Sequence, residues 1–198
     1  MKRRYIVLVI VVCLIAAGWI WRYNSLNEYY EDISADTEEV IYDIGDVVPF
    51  EADRMEGWKQ VNGYSLKVDR FEIVDSQDFI DKIGFAPNDA YFPCEKIAVV
   101  YITLFNEESD AAGIMLTELS LYGIDQVLNL NWDLLLAANP ILEGNMGIKL
   151  AYNSECGLIL PFSLFEKYFS GATWNNIDNY ELFLELTIYP AQKKVKVQ

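Results

Sequence analysis

The chain contains no histidine. That removes the side chain whose ordinary pKa lies nearest neutrality, and with it the usual general base and the commonest metal ligand. A serine or cysteine nucleophile is left without its ordinary activating partner. There is no GxSxG elbow, phosphate-binding loop or dinucleotide fingerprint. With 30 acidic residues, a glycosidase-type carboxylate pair would arise by chance, so acid content alone carries no signal. The expectation is a non-enzyme with no catalytic residues, no cofactor and no metal site. Bases are scarce too: 15 Lys and Arg against those 30 acids in 198 residues. Four of the bases (Lys2, Arg3, Arg4 and Arg22) fall in the first 22 residues, which leaves 11 for the remainder and a net charge there of −19. Such an excess repels nucleic acid and anionic lipid headgroups and leaves cationic or neutral partners open. Cysteine is limited to three residues. Cys13 lies in an apolar run, so Cys94 and Cys156 are the candidates for a disulfide. It would close a loop of 62 residues, worth about 4 kcal/mol in the chain-entropy model. Two buried free thiols is the simpler reading.

What the chain does have begins at Tyr5. An uncharged apolar run reaches Trp21 directly behind Lys2-Arg3-Arg4, and a spanning helix needs roughly 17–25 such residues. Trp19, Trp21 and Tyr23 cluster at the far end, where amphipathic rings favour the headgroup layer, and Arg22 can snorkel there. Residues 1–23 are expected to be a signal anchor: a single-pass helix in the cell membrane, with a cytoplasmic N-terminus and an extracytoplasmic remainder. Two rivals are cleavage at the small residues Ala16-Ala17-Gly18 and acylation of Cys13, the latter disfavoured by the bulky Val12 before it. Residues 24–42 are expected to be an acidic, solvated stalk, with six acids and no base between Glu28 and Glu39. They lack the ligand spacing of a calcium loop.

Residues 43–198 are expected to form one domain. Tyr64–Val74 alternates in two registers, Tyr64, Leu66, Val68 and then Phe71, Ile73, which predicts a β-bulge at Asp69-Arg70. Asp75–Pro93 reads as loop. Lys96–Phe105 is almost continuously apolar and β-branched, as in a central strand buried on both faces. Ile114–Tyr122 alternates again. Trp132–Asn139 reads as two helical turns stopped by Pro140. Ile148–Tyr152 and Gly157–Pro161 read as short strands. Ser163–Phe169 reads as a brief helix capped by Ser163 and ended by Gly171. Tyr180–Tyr189 is expected to be a strand, and Lys193, Lys194 and Lys196 a solvated last strand. Seven or eight short strands with little helix predict a mainly β fold, an immunoglobulin-like sandwich with one or two short helices behind a transmembrane helix.

Tyr42-Asp-Ile-Gly-Asp-Val-Val48, Tyr64–Phe71, Ala98–Asn106 and Tyr180…Tyr189-Pro190 together resemble a family. It is the telokin-like, immunoglobulin-type domains of unknown function carried by membrane-anchored or lipoprotein exports of Gram-positive bacteria. The resemblance implies a cell-surface binding or scaffolding module and supplies no catalytic residues. The stretch from Asn129 to Tyr152 is longer than a compact version needs.

Trp58, Trp132 and Trp174 lie in loop-like segments and are the candidate ligand-binding residues, since loop aromatics often hold protein and sugar partners. The simpler role for each is to plug an end of the core. Three functional readings follow. A protein or cell-envelope partner would need an exposed edge strand or apolar patch. Carbohydrate binding or cleavage would need exposed tryptophans on one face or two convergent carboxylates. Inhibition of an enzyme would use a protruding loop, for which Asp75–Pro93 is the candidate. The first is the expectation.

Overall fold

Strand Lys96–Asn106 organises the fold because its two faces are buried by different partners. Ala98, Val100, Ile102 and Leu104 point into a core between two sheets, while Ile97 and Val99 point the other way, against helices. Period-two alternation makes this division, and β-branched residues on both faces fit it.

The computed structural model describes residues 5, 10–24, 38–51, 55–56, 59–60, 63–87, 91, 93–108, 113–123, 126–188 and 190–198. Residues 10–24 form a helix, α1, in which Trp19 and Tyr23 stack at 5.9 Å. Among the described residues no helix is long and apolar enough to cross a membrane. The cations Lys2–Arg4, residues 6–9 of the apolar run, and residues 25–37 of the acidic stretch lie outside the described residues. So do Trp58 and residues 88–90.

Residues 39–198 form one compact unit. In chain order its elements are β1 (Glu38–Asp43), β2 (Val47–Phe50), β3 (Met55–Glu56), β4 (Lys59–Gln60), β5 (Tyr64–Asp75), α2 (Ser76–Ile83), β6 (Lys96–Asn106), β7 (Ile114–Met115), β8 (Ser120–Gly123) and β9 (Gln126–Leu128). They continue with α3 (Trp132–Ala138), β10 (Gly147–Ile148), β11 (Ser154–Leu164), α4 (Gly171–Trp174), β12 (Phe183–Glu185) and β13 (Ala191–Lys196). A five-stranded sheet in the order β1-β13-β12-β8-β9 faces a four-stranded sheet in the order β11-β6-β5-β2. The shared core joins Leu66, Val100 and Leu160 of one sheet to Leu121, Leu184 and Val195 of the other. The fold is thus a mainly β sandwich with a few short helices. The predicted bulge is present: the β5–β6 register shifts between Val68 and Arg70.

Several expectations are corrected. Asp75–Pro93 is not all loop: α2 occupies its first half, with the Asp75 carboxylate accepting from the Gln77 N–H and Gly84 closing the helix at φ +66°. Its buried Phe79 and Ile80, with Leu134 of α3, cover the outer face of β6. Gly157–Pro161 is the middle of an eleven-residue strand, β11, paired with β6 throughout. Pro161 is tolerated because β11 lies at a sheet edge. Ser163 belongs to that strand and caps no helix, and Gly171 opens α4 instead of ending a helix, with Ser170 as its cap. The Tyr180–Tyr189 strand is only Phe183–Glu185. Cys94 and Cys156 are both free. Cys94 belongs to the helix-side cluster and Cys156 to the inter-sheet core, so the four-stranded sheet separates the two thiols.

The lysine tail is the largest correction, because Lys193 and Lys194 are buried. Consecutive strand residues point to opposite faces. Lys193 donates to the Pro49 carbonyl at 2.8 Å and to Glu51 at 3.3 Å. Lys194 donates to the Glu39 carboxylate, with its ammonium 4.7 Å from the centre of the Tyr122 ring. Burial pushes the Lys194 pKa down, but the hydrogen bonds to Glu39 and Tyr122 outweigh it, and the net shift is upward. Glu39→Gln would leave that buried cation without its carboxylate. Because Glu39 itself is half exposed, the expected cost is about 1–2 kcal/mol, or about 3–8 °C in Tm. An unchanged Tm would show that the pair contributes nothing.

The outer face of β5 carries a second polar cluster. Tyr101 donates to Glu72 at 2.7 Å, and Arg70 lies 4.0 Å from the Tyr101 ring centre. The Tyr101 hydrogen bond holds the Glu72 carboxyl below its ordinary 4.5, against the effect of burial and with help from Arg70 and Lys82. A carboxyl depressed on folding stabilises above its unfolded pKa, and that contribution is lost as pH falls through the folded value. Wild type should therefore melt above Glu72→Gln at about pH 7, with the gap closing as pH falls below 4.5. A gap that persists at about pH 2 would exclude this origin.

Candidate functional site

A sandwich of two open sheets has four edges, and unpaired edges invite other strands. Here the edges are β1 and β9 of one sheet, β11 and β2 of the other. Asn139 closes β11: its amide donates to the Ile159 carbonyl at 2.7 Å and its oxygen accepts from the Ile159 N–H at 2.8 Å, as a neighbouring strand would. The β2 edge carries Pro49, which has no N–H and whose carbonyl is taken by Lys193. The β1 edge carries Glu38, Glu39 and Asp43. Such charges and prolines are how edges are usually blunted. Among the described residues β9 has neither, and its central Val127 is 64% exposed. It is three residues long, and just beyond it the chain joins β11: Leu130 bridges Phe162 and the Asn131 N–H donates to the Pro161 carbonyl at 2.8 Å.

Beside β9 the surface is apolar and aromatic. Leu128 faces the core with its β8 partner Leu121, while Val127 and its partner Tyr122 face outward. Tyr122 in turn pairs with Phe183 of β12, and the two rings stack at 5.6 Å. An open cleft of about 590 Å³ lies here, lined by Tyr122, Gln126, Val127, Tyr180, Glu181 and Phe183 among others. Gly123 permits it. A Cβ at that position, where φ is +156°, would sit 2.3 Å from the Glu181 carbonyl oxygen. On the other side of β9 a smaller cleft of about 220 Å³ shares Gln126 and Val127 and is completed by Leu128, Phe165, Tyr168 and Phe169. Phe165 and Tyr168 meet edge to face at 5.7 Å, with the Lys167 ammonium 4.8 Å from the Tyr168 ring centre. Tyr168 is exposed. The arrangement is a short exposed segment, Gln126–Leu128, with an aromatic hollow on either side, which suits main-chain pairing over that segment with side-chain pockets.

A further cleft of about 570 Å³ lies at the start of α2 and includes Asp75, Tyr91, Cys94 and Glu95. Its two carboxylates are engaged with backbone: Asp75 accepts from the Gln77 N–H at 2.9 Å and Glu95 from the Glu166 N–H at 3.0 Å. Burial pushes the Tyr91 phenol up.

Of the tryptophans expected to bind ligand, the two described, Trp132 and Trp174, line none of these clefts. Trp132 is half-buried at the first position of α3, where it packs on the core. Trp174 packs 5.8 Å from Phe169, behind the smaller cleft, with Lys96 5.6 Å from its ring centre. Trp58 lies outside the described residues. Tyr122, Val127, Tyr168 and Phe183 went unrecognised. Gly123, three residues ahead of Gln126, was the one local sign of a hairpin.

A family model described as "Domain of unknown function (DUF5028)" matches residues 39–193. No curated protein matches. Among solved structures, the chain is similar to the yjhA protein from Bacillus subtilis, with 12% identity and a TM-score of 0.45 over 79% of this chain and 99% of that one. It is similar to an uncharacterised β-sandwich protein from Clostridium difficile, with 9% identity and a TM-score of 0.40 over 82% and 95%. It is also similar to a functionally unknown protein from Listeria monocytogenes, with 13% identity and a TM-score of 0.39 over 70% and 76%.

Proposed function

The chain belongs to the DUF5028 family, a domain of unknown function, and we propose that it is a non-catalytic interaction module that holds an extended segment of a protein partner against the β9 edge. The observation that carries this reading is the contrast among the four edges: three carry charge, proline or Asn139, whereas β9, whose continuation pairs with β11 at Leu130, carries none of these over Gln126–Leu128 and is flanked by aromatics. In this proposal the module is held at the outer face of the cell membrane. The uncharged Tyr5–Trp21 run acts as a single-pass anchor, Lys2–Arg4 keep the N-terminus cytoplasmic, and the acidic stretch serves as a stalk. The finer assignment, a telokin-like, immunoglobulin-type domain of a Gram-positive export, rests on the strand motifs from Tyr42 to Pro190.

A second reading has one observation in its favour. The larger cleft combines three aromatic rings (Tyr122, Tyr180, Phe183) with the planar polar groups of Gln126, Asn179 and Glu181, a set that can stack on and hydrogen-bond to a neutral sugar. It is the weaker reading because Tyr122 already stacks on Phe183 and carries Lys194 near its ring.

Site-specific photo-crosslinking separates the two. A photoreactive residue at Val127 of the full chain, activated in the cells that make it, should trap a discrete protein adduct that is absent when the same residue is placed at the exposed Ile188. No adduct at Val127, together with retention of the protein on wall polysaccharide, would replace the protein reading with the carbohydrate one.

A further inference from the structure

We propose that the segment seated on β9 is cationic, an extended strand alternating apolar and basic side chains. This inference rests on the edge-pairing reading above and adds the chemistry of the partner. A strand added beside β9 presents alternate side chains to opposite faces. On one face they meet the hollow formed with Leu128, Phe165 and Phe169 at the rim of the core. On the other they lie beside Val127 and Tyr122, near the Glu181 carboxylate. The first set is therefore apolar, and the second is free to be charged.

The sign of that charge follows from the domain. From Glu39 to Gln198 there are 25 acidic and 11 basic residues. The bases around the two clefts are already engaged: Lys196 with Glu181, Lys194 with Glu39, Lys96 with Asp178 at 3.9 Å, and Lys167 over the Tyr168 ring at 4.8 Å. The Glu181 and Asp178 side chains are each 66% exposed. Exposed pairs of this kind are weak and can exchange partners, so an incoming ammonium or guanidinium gains a rim carboxylate as well as the attraction of the whole domain. An anionic segment meets repulsion from both.

The test uses the full chain in detergent micelles and three fluorescent heptapeptides. One alternates Val and Lys, one alternates Val and Glu, and one is the Val/Lys peptide with its central residue replaced by Pro. The readouts are anisotropy at low and high salt and amide hydrogen exchange at residues 126–128. The Val/Lys peptide should bind saturably, about 10-fold or more tighter than the Val/Glu peptide at low salt, and should slow exchange in β9. Val127→Lys, at an exposed position where the wild-type Tm should be kept, should weaken it about 10-fold. If the Val/Glu peptide binds as well and protects the same amides, the edge reading stands and the cationic inference falls. If neither peptide protects β9, or the proline peptide and Val127→Lys change nothing, both fall.

Discussion

Replacing Asn139 with alanine is expected to lower Tm by about 6–12 °C, the largest single loss in the domain outside deep-core truncations. The side chain is 4% exposed and makes three hydrogen bonds: to the Leu135 carbonyl at 2.7 Å, to the Ile159 carbonyl at 2.7 Å and from the Ile159 N–H at 2.8 Å. At about 1 kcal/mol for each satisfied bond, the sum is about 3 kcal/mol. Alanine would also leave both polar groups of Ile159 unpaired. The second consequence is at the edge. With Asn139 gone, β11 presents unpaired backbone beneath α3, so the variant should also associate as concentration rises. Thermal melts and sedimentation of wild type and Asn139→Ala check both effects. A variant that melts within a degree of wild type would mean that water replaces the amide at no cost.

The second large effect is expected at Gly123. An alanine methyl there would overlap the Glu181 carbonyl oxygen at 2.3 Å and approach Leu182 Cδ2 at 2.9 Å, on a backbone whose φ of +156° already disfavours a side chain. The carbonyl cannot rotate away like the end of a flexible side chain, so the end of β8 or the Glu181–Leu182 segment must shift. Overpacking of this kind costs about 1–3 kcal/mol, or about 3–10 °C in Tm. The shift reshapes the larger cleft, because Gly123 and Glu181 both line it. Gly123→Ala should therefore lose stability and affinity for a β9 ligand together, whereas Val127→Lys loses affinity alone. Measuring Tm and peptide anisotropy on both variants distinguishes them. A Gly123→Ala protein with wild-type Tm and wild-type binding would show that the hairpin yields without cost.

Local pattern carried much of the architecture. The β-branched run from Lys96 to Phe105 announced a strand buried on both faces, and the phase slip at Asp69-Arg70 announced the bulge, since each is a property of consecutive residues. The run from Trp132 to Asn139, stopped by Pro140, framed α3 in the same way. What failed was short or interrupted. The eight residues of α2 sit between a strand and a glycine- and proline-rich loop, and Pro161 divided β11 into a fragment too short to recognise. The candidate site was less legible: the loop-like sequence around Trp132 and Trp174 left ligand binding and plugging of the core both open, and packing on the core and on Phe169 half-buries the two.

By itself the sequence determined a charge and a class: no histidine, twice as many acids as bases, an uncharged apolar run behind three cations, and strands enough for a sandwich. These follow from composition and from spacings of a few residues. Tertiary structure alone decided which cysteines stay apart, which lysines leave water and which edge remains open. Each of those depends on pairs distant in the chain: Cys94 and Cys156 divided by a sheet, Lys194 beside Glu39, and Asn139 closing β11 while, among the described residues, β9 meets β11 only beyond its end, at Leu130 and Phe162. Burial and edge exposure are set by which strands become neighbours, and that order is a global property that no window of the sequence contains.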